Sequence, residues 1–180
     1  MNTPSETRTG DDLAFDELVE RTEGLQPWRR VFHAGNGVAL ALLPPALGLE
    51  GGATVLLLSI ALALQVGLDV ARLRVGPINR MFFRAFRTLA SPREAAGIAS
   101  STWYTLGALV AYAVFPQPIA SASILVLGLA DPAAGVVGRV WGRRPFGKGT
   151  IEGTATFFLV ASGVLLLFVG AEGARGDRRG

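Results

Sequence analysis

The sequence predicts an all-α, polytopic integral membrane bundle of about five transmembrane helices plus one interfacial amphipathic helix. Half of the 180 residues are hydrophobic and only 17% are charged, and the mean hydropathy is +0.41. The apolar residues gather into runs close to the ~20 residues that cross a bilayer as a helix. The arginines cluster between those runs. A membrane barrel would instead alternate over ~10-residue segments. The chain has no cysteine and one histidine, His33, which excludes disulfides, thiol nucleophiles and multi-histidine metal sites. The pI near 10.2 is not read as nucleic-acid binding. Cations at the ends of apolar runs set topology and meet anionic lipid or phosphate.

Residues 1–26 form a polar, acidic segment with Glu6, Asp11, Asp12, Asp16, Glu17, Glu20 and Glu23. It lacks the basic start and apolar core of a signal peptide. Residues 1–10 are expected to be disordered and 12–23 to form a short surface helix. Residues 27–171 form the membrane-embedded domain, and 172–180 a polar tail. The spans are expected at 29–48, 53–73, 92–115, 118–141 and 151–170. Pro44 and Pro45 end or kink the first. The short 49–52 and 116–117 connections predict that spans one and two, and spans three and four, are antiparallel neighbours. Between spans two and three, Arg80, Arg84 and Arg87 recur at helical spacing opposite Phe82, Phe86 and Leu89, which suits a helix lying in the interface. With five spans, all three arginine-rich segments fall on one side, which the positive-inside rule makes cytoplasmic.

Asp131 lies in an apolar run, where a carboxylate costs roughly 2.5–3.5 kcal/mol on insertion scales and marks a candidate functional residue. Pro132 follows it. Asp is a good N-cap and Pro is favoured at the first helical position, so the fourth span is expected to break there and restart. The bland reading is an aspartate that only caps. Gly135, Gly138 and Gly142 leave one face bare, for helix packing or for close approach of a nucleotide. Arg139, Arg143, Arg144 and Lys148, the only lysine, form the densest cationic cluster. Gly147, Lys148, Gly149 and Thr150 lack the rest of a Walker motif, but a flexible Gly-Lys-Gly segment before a helix start suits phosphate. Glu152 suits the helix dipole in the first turn of the fifth span. Ser91-Pro92-Arg93-Glu94 is a capping box, which on local grounds outweighs catalysis for Glu94. Asp69 and Arg72 pair across one turn, and Arg30 and His33 stand one turn apart.

These segments, in this order, resemble the membrane kinases that use CTP to phosphorylate lipid alcohols: dolichol kinase, phytol kinase and the CTP-dependent diacylglycerol kinase, often grouped with phosphatidate cytidylyltransferases. The resemblance covers roughly residues 29–158. It rests on Arg29-Arg30-Val31-Phe32-His33, on DVARLR from Asp69, on Glu94, on DPAAGVVGRVWG from Asp131 and on GKGTIEGT from Gly147. Ala130 stands where the family usually has glycine. The family usually continues with further helices and a polar segment, whereas this chain stops soon after the fifth span.

The resemblance implies CTP as phosphoryl donor, Mg²⁺ and a lipid-alcohol acceptor; the arginine placement puts the site on the cytoplasmic side, and the expected location is a bacterial inner membrane. The resemblance also implies catalytic roles for Asp131, Glu94 and Glu152, with Mg²⁺ on Asp131 and Glu152. Lys148, Arg139, Arg143, Gly147, Gly149 and Thr150 would hold the nucleotide, supported by His33, Arg30, Asp69 and Arg72. Two alternatives stay open: a cytidylyltransferase joining CMP to a lipid phosphate, and a shortened non-catalytic membrane relative. The acceptor and the oligomeric state are not legible.

Overall fold

The computed structural model describes residues 15–17, 19–20 and 27–177, the last seven as backbone. The expected disorder at 1–10 and the polar tail beyond 177 lie outside them, as does much of the expected 12–23 helix. Its described residues 15–17 and 19–20 are helical. Among the described residues the regular elements are helices and one small hairpin: α1 Pro27–Ala46, α2 Gly51–Arg74, α3 Gly76–Ala85, a 3-10 turn Pro92–Ala95, α4 Ser100–Val114, α5 Gln117–Val140, β1 Pro145–Phe146, β2 Gly149–Thr150 and α6 Ile151–Asp177.

Among the described residues, three helices are long and apolar enough to cross a membrane: Gly51–Arg74, Gln117–Val140 and Ile151–Gly170. Their outer surfaces are apolar, with Leu64, Ile119, Leu127, Leu159 and Leu166 all exposed, as lipid-facing helices require. The first expected span is helical as α1, but Arg29, Arg30, His33 and Asn36 occupy its first half. Pro44 and Pro45 remain inside it.

The expected third span, 92–115, is not one helix. A 3-10 turn holds Pro92–Ala95, and α4 begins only at Ser100 with 15 residues, about 22 Å of helix. The cause is Arg72. Its Nε donates to Asp69 Oδ1 at 2.7 Å, its Nη1 to Asn79 Oδ1 (3.2 Å) and to the Glu94 carbonyl (2.6 Å), and its Nη2 to the Gly97 carbonyl (2.6 Å). Carbonyls engaged by a buried guanidinium leave the 94–97 stretch out of helical register. Asp69 completes the knot. Its Oδ2 accepts from the Ala99 N–H (3.1 Å) and Thr102 Oγ1 (2.7 Å) at the start of α4. Arg72 is 1% exposed and Asp69 4%, so every polar atom there needs a partner. The amphipathic segment is helical only to Ala85, and its buried residues are Asn79 and Phe83 rather than Phe86. Phe82 lies under the Arg72 guanidinium, 4.5 Å from its carbon to the ring centre.

The expected pairing of the first two spans is not the close one. The tight pairs are α1 with α5, α5 with α6, and α2 with α4, while α4 and α5 also touch. Glycine decides this. A Cβ on Gly37 of α1 would sit 2.7 Å from the Gly128 Cα of α5, and one on Gly153 of α6 would sit 3.2 Å from the Gly138 Cα. Backbones approach this closely only where side chains are missing. A central cluster of Ala41, Leu58, Ala108, Tyr112, Ala120 and Ile124 joins α1, α2, α4 and α5. The Tyr112 hydroxyl adds a bond to the Leu40 carbonyl at 2.7 Å and pairs with Ser121 Oγ at 3.0 Å.

Removing one partner of the Arg72 knot strands a buried carboxylate. Arg72→Met is expected to cost about 3–5 kcal/mol, seen as a large drop in the melting temperature of the detergent-solubilised protein. Arg74→Met, two residues on at the exposed end of α2, should stay within about 0.5 kcal/mol of the parent.

Candidate functional site

The charged ends of α1, α4 and α5 enclose a cleft of about 830 Å³. Arg29, Arg30 and His33 come from α1, Ser91–Arg93 from the 3-10 region, and Ser100, Trp103 and Tyr104 from α4. Leu127, Gly128, Asp131, Pro132 and Arg139 come from α5.

Asp131 does not start a new half-helix. Helix α5 runs unbroken from Gln117 to Val140 with Pro132 inside it. Proline forfeits one backbone bond, and packing against α1, α4 and α6 holds the segment helical, as neighbours do for prolines in membrane helices. Asp131 is therefore no N-cap. Its carboxylate is exposed in the cleft, near enough to Arg30 and His33 to act on both electrostatically. Arg30 also feels Arg139 and Arg29. Its guanidinium lies against Gly135, where a Cβ would collide with Nη1. Gly135 thus makes room for a cation.

A second cleft of about 540 Å³ lies between α5 and α6. Ala134, Gly135, Gly138 and Arg139 form one wall, Gly153, Thr154 and Phe157 the other, and Lys148, Gly149 and Thr150 the rim. Arg139 lines both clefts. The expected flexible Gly-Lys-Gly segment is instead a hairpin. Phe146 pairs with Gly149 across a two-residue turn, and Gly147 takes φ +58 at its first position, where a hairpin of this kind calls for glycine. Lys148 is presented, exposed, at the tip. The Ile151 N–H donates to the Arg144 carbonyl at 3.0 Å, which ties the hairpin to the first residue of α6. Gly138 and Gly142 serve packing: a Cβ on either would press on Thr150.

The structure divides the expected residues. Arg30, His33, Asp131 and Arg139 meet in the first cleft, and Arg139, Lys148, Gly149 and Thr150 border the second. Gly147, Arg143 and Glu152 line neither. Glu152 Oε2 accepts from the Arg144 N–H at 3.4 Å. Among the described residues no three His, Asp or Glu side chains gather as a metal cage. Asp69 and Arg72 belong to the buried knot. Glu94 lines neither cleft: it is buried behind the first, and its carboxylate is engaged. Oε1 accepts from the Ser100 N–H (3.0 Å), Ser100 Oγ (2.6 Å) and Arg29 Nη2 (3.5 Å), and Oε2 from the Ser91 N–H (3.3 Å). Residue type and spacing alone do not single out Ser100 and Tyr104, which also line the first cleft. A tyrosine in an apolar run needs a partner for its hydroxyl, and that was the available signal.

Two curated proteins are similar to the chain, both CTP-dependent diacylglycerol kinase 1. The Eremothecium gossypii protein is 32% identical over 75 residues, which is 42% of this chain and 24% of that protein. The Schizosaccharomyces pombe protein is 28% identical over 115 residues, 64% of this chain and 52% of that protein. The chain thus spans about half or less of the relatives it matches. No family model and no solved structure matches it. These relatives support the likeness to CTP-dependent lipid kinases that the motifs carry.

Four donors converge on Glu94, so Glu94→Gln turns an amide N–H₂ towards one of them. The expected loss is about 1–3 kcal/mol of stability, read as a lower melting temperature without any substrate. An unchanged melting temperature would mean that the Glu94 charge is not structural.

Proposed function

We propose that the chain is a membrane kinase that transfers the γ-phosphate of CTP to the hydroxyl of a lipid alcohol. The observation that carries this reading is Asp131: an exposed carboxylate without a hydrogen-bond partner among the described residues, flanked by Arg30 and Arg139 in a polar cleft on an apolar helix. The two diacylglycerol kinase relatives support it and make diacylglycerol the first acceptor to test. Polyprenol and phytol present the same reacting group.

Phosphoryl transfer asks the protein mainly for positioning and for neutralised charge. In this reading the lipid hydroxyl oxygen forms a bond to the γ-phosphorus, the bond to the β-γ bridging oxygen breaks, CDP leaves, and the hydroxyl proton is released. Asp131 orients the hydroxyl and receives its hydrogen bond. Lys148 and the rim of the second cleft hold the phosphates, and Arg139, common to both clefts, sits between donor and acceptor. Of the expected Mg²⁺ ligands, Asp131 faces the cleft and would hold the ion, whereas Glu152 lines neither cleft. That ion, when bound with a nucleotide, takes one or two carboxylates plus phosphate oxygens, and Asp131 offers one carboxylate. Mg²⁺ supplies charge neutralisation on the phosphates. In this reading α1 and α4 complete five crossings, and the clefts face the cytoplasm of a cell membrane.

The test uses purified protein in mixed micelles with diacylglycerol, Mg²⁺ and CTP labelled at the α or the γ phosphate. The expected outcome is lipid labelled from γ only. Label from α would establish a cytidylyltransferase, and label from neither would overturn the kinase reading. Asp131→Asn is expected to lower turnover at least 100-fold, within the usual span for a lost acid–base or charge-stabilising group, with the melting temperature kept. Lys148→Ala is expected to raise the KM for CTP about tenfold, the loss of one charge-assisted hydrogen bond.

A further inference from the structure

Among the described residues, the buried side-chain polar atoms without a hydrogen-bond partner are the Tyr104 hydroxyl and Gln65 Oε1. Gln65 lines neither of the two clefts described above. Tyr104 lines the Asp131 cleft, and its ring centre lies 5.9 Å from that of His33. The hydroxyl reaches the place where α1 and α5 cross. An ideal Cβ on Gly37 would stand 2.6 Å from it, and one on Gly128 would stand 3.3 Å away. Gly128 is one turn of α5 before Asp131. The same helix carries a contrasting case: two turns on, the Tyr112 hydroxyl has both Leu40 and Ser121 as partners. A buried hydroxyl left unpaired costs stability, and such a group in a folded protein calls for an explanation.

We propose that the Tyr104 hydroxyl donates a hydrogen bond to the hydroxyl oxygen of the lipid acceptor and seats it beside Asp131. This rests on the kinase reading of the same cleft and assigns its acceptor end. The position fits a lipid rather than a nucleotide. Tyr104 lies one turn inside α4 from Ser100, and Gly37 two turns inside α1 from Arg30, both towards the apolar part of the bundle. The phosphate-binding candidates Arg139 and Lys148 lie towards the opposite, cationic end.

The experiment compares the full chain with Tyr104→Phe, using dioctanoylglycerol as acceptor. Kinetics with CTP labelled at γ should show a KM for dioctanoylglycerol raised about fivefold or more, the loss of one neutral hydrogen bond, and an unchanged KM for CTP. Without substrate the variant should melt at the same temperature or higher, because it no longer buries an unpaired hydroxyl. Dioctanoylglycerol alone should raise the melting temperature of the parent and fail to raise that of the variant. An unchanged acceptor KM with an unchanged melting shift would overturn the proposal, and so would a lower melting temperature with intact kinetics. If the parent transfers no phosphate, the kinase reading fails, and the melting shift alone decides Tyr104. A shift lost in the variant upholds it; a shift kept in the variant, or none in the parent, overturns it.

Discussion

The bundle depends on helix α5 coming into backbone contact with two partners at once. Lipid tails are as apolar as leucine side chains, so association between membrane helices comes from close packing rather than from escape from water. Here Gly37 meets Gly128 at one level and Gly138 meets Gly153 at another. Between those two contacts α5 carries Asp131, whose cleft lies on the α1 side, and Gly135, against which Arg30 rests. The site therefore occupies the stretch of α5 clamped on both ends.

Charged groups near this clamp fall into two sets. Asp69, Arg72 and Glu94 are buried and engaged on nearly every polar atom. They close the ends of α2 and α4 and fix where α4 starts. Arg30, Asp131, Arg139 and Lys148 are left facing clefts. Buried ionic groups are weak sources of net stability, yet this knot sets the cleft's geometry: it holds the 3-10 region and Ser100 against α1, and so fixes one wall.

Much of this was legible in the sequence. The helical class, three of the long apolar helices, the Asp69–Arg72 pair and the capping box at Ser91 follow from periodicity and from local chemistry one turn apart. The break at Asp131 did not follow, because a proline signal is local and packing by three neighbours overrode it. The 92–115 span misled for the same reason: its register was set by Arg72, more than 20 residues earlier. Pairing between helices was judged from loop length, whereas glycine contacts between distant segments decided it. At the site, Asp131, Arg139 and Lys148, which residue type singles out, all face clefts. Residue type could not separate Glu152, which turns to the Arg144 N–H just before the hairpin, from Asp131, which does not.

The two glycine contacts also make α5 a phase-locked element. Gly128 and Gly138 are ten residues apart, and each meets a different helix. Adding or deleting one residue between them would rotate everything beyond by about 100° and shift it by about 1.5 Å. Gly138 would then turn away from Gly153, or Asp131 away from its cleft. Substitutions along this stretch change chemistry, whereas changes in its length unseat a whole helix. The segment from Gly128 to Gly138 is thus a ruler of fixed length, and the depth of the carboxylate relative to the Lys148 hairpin is marked off along it.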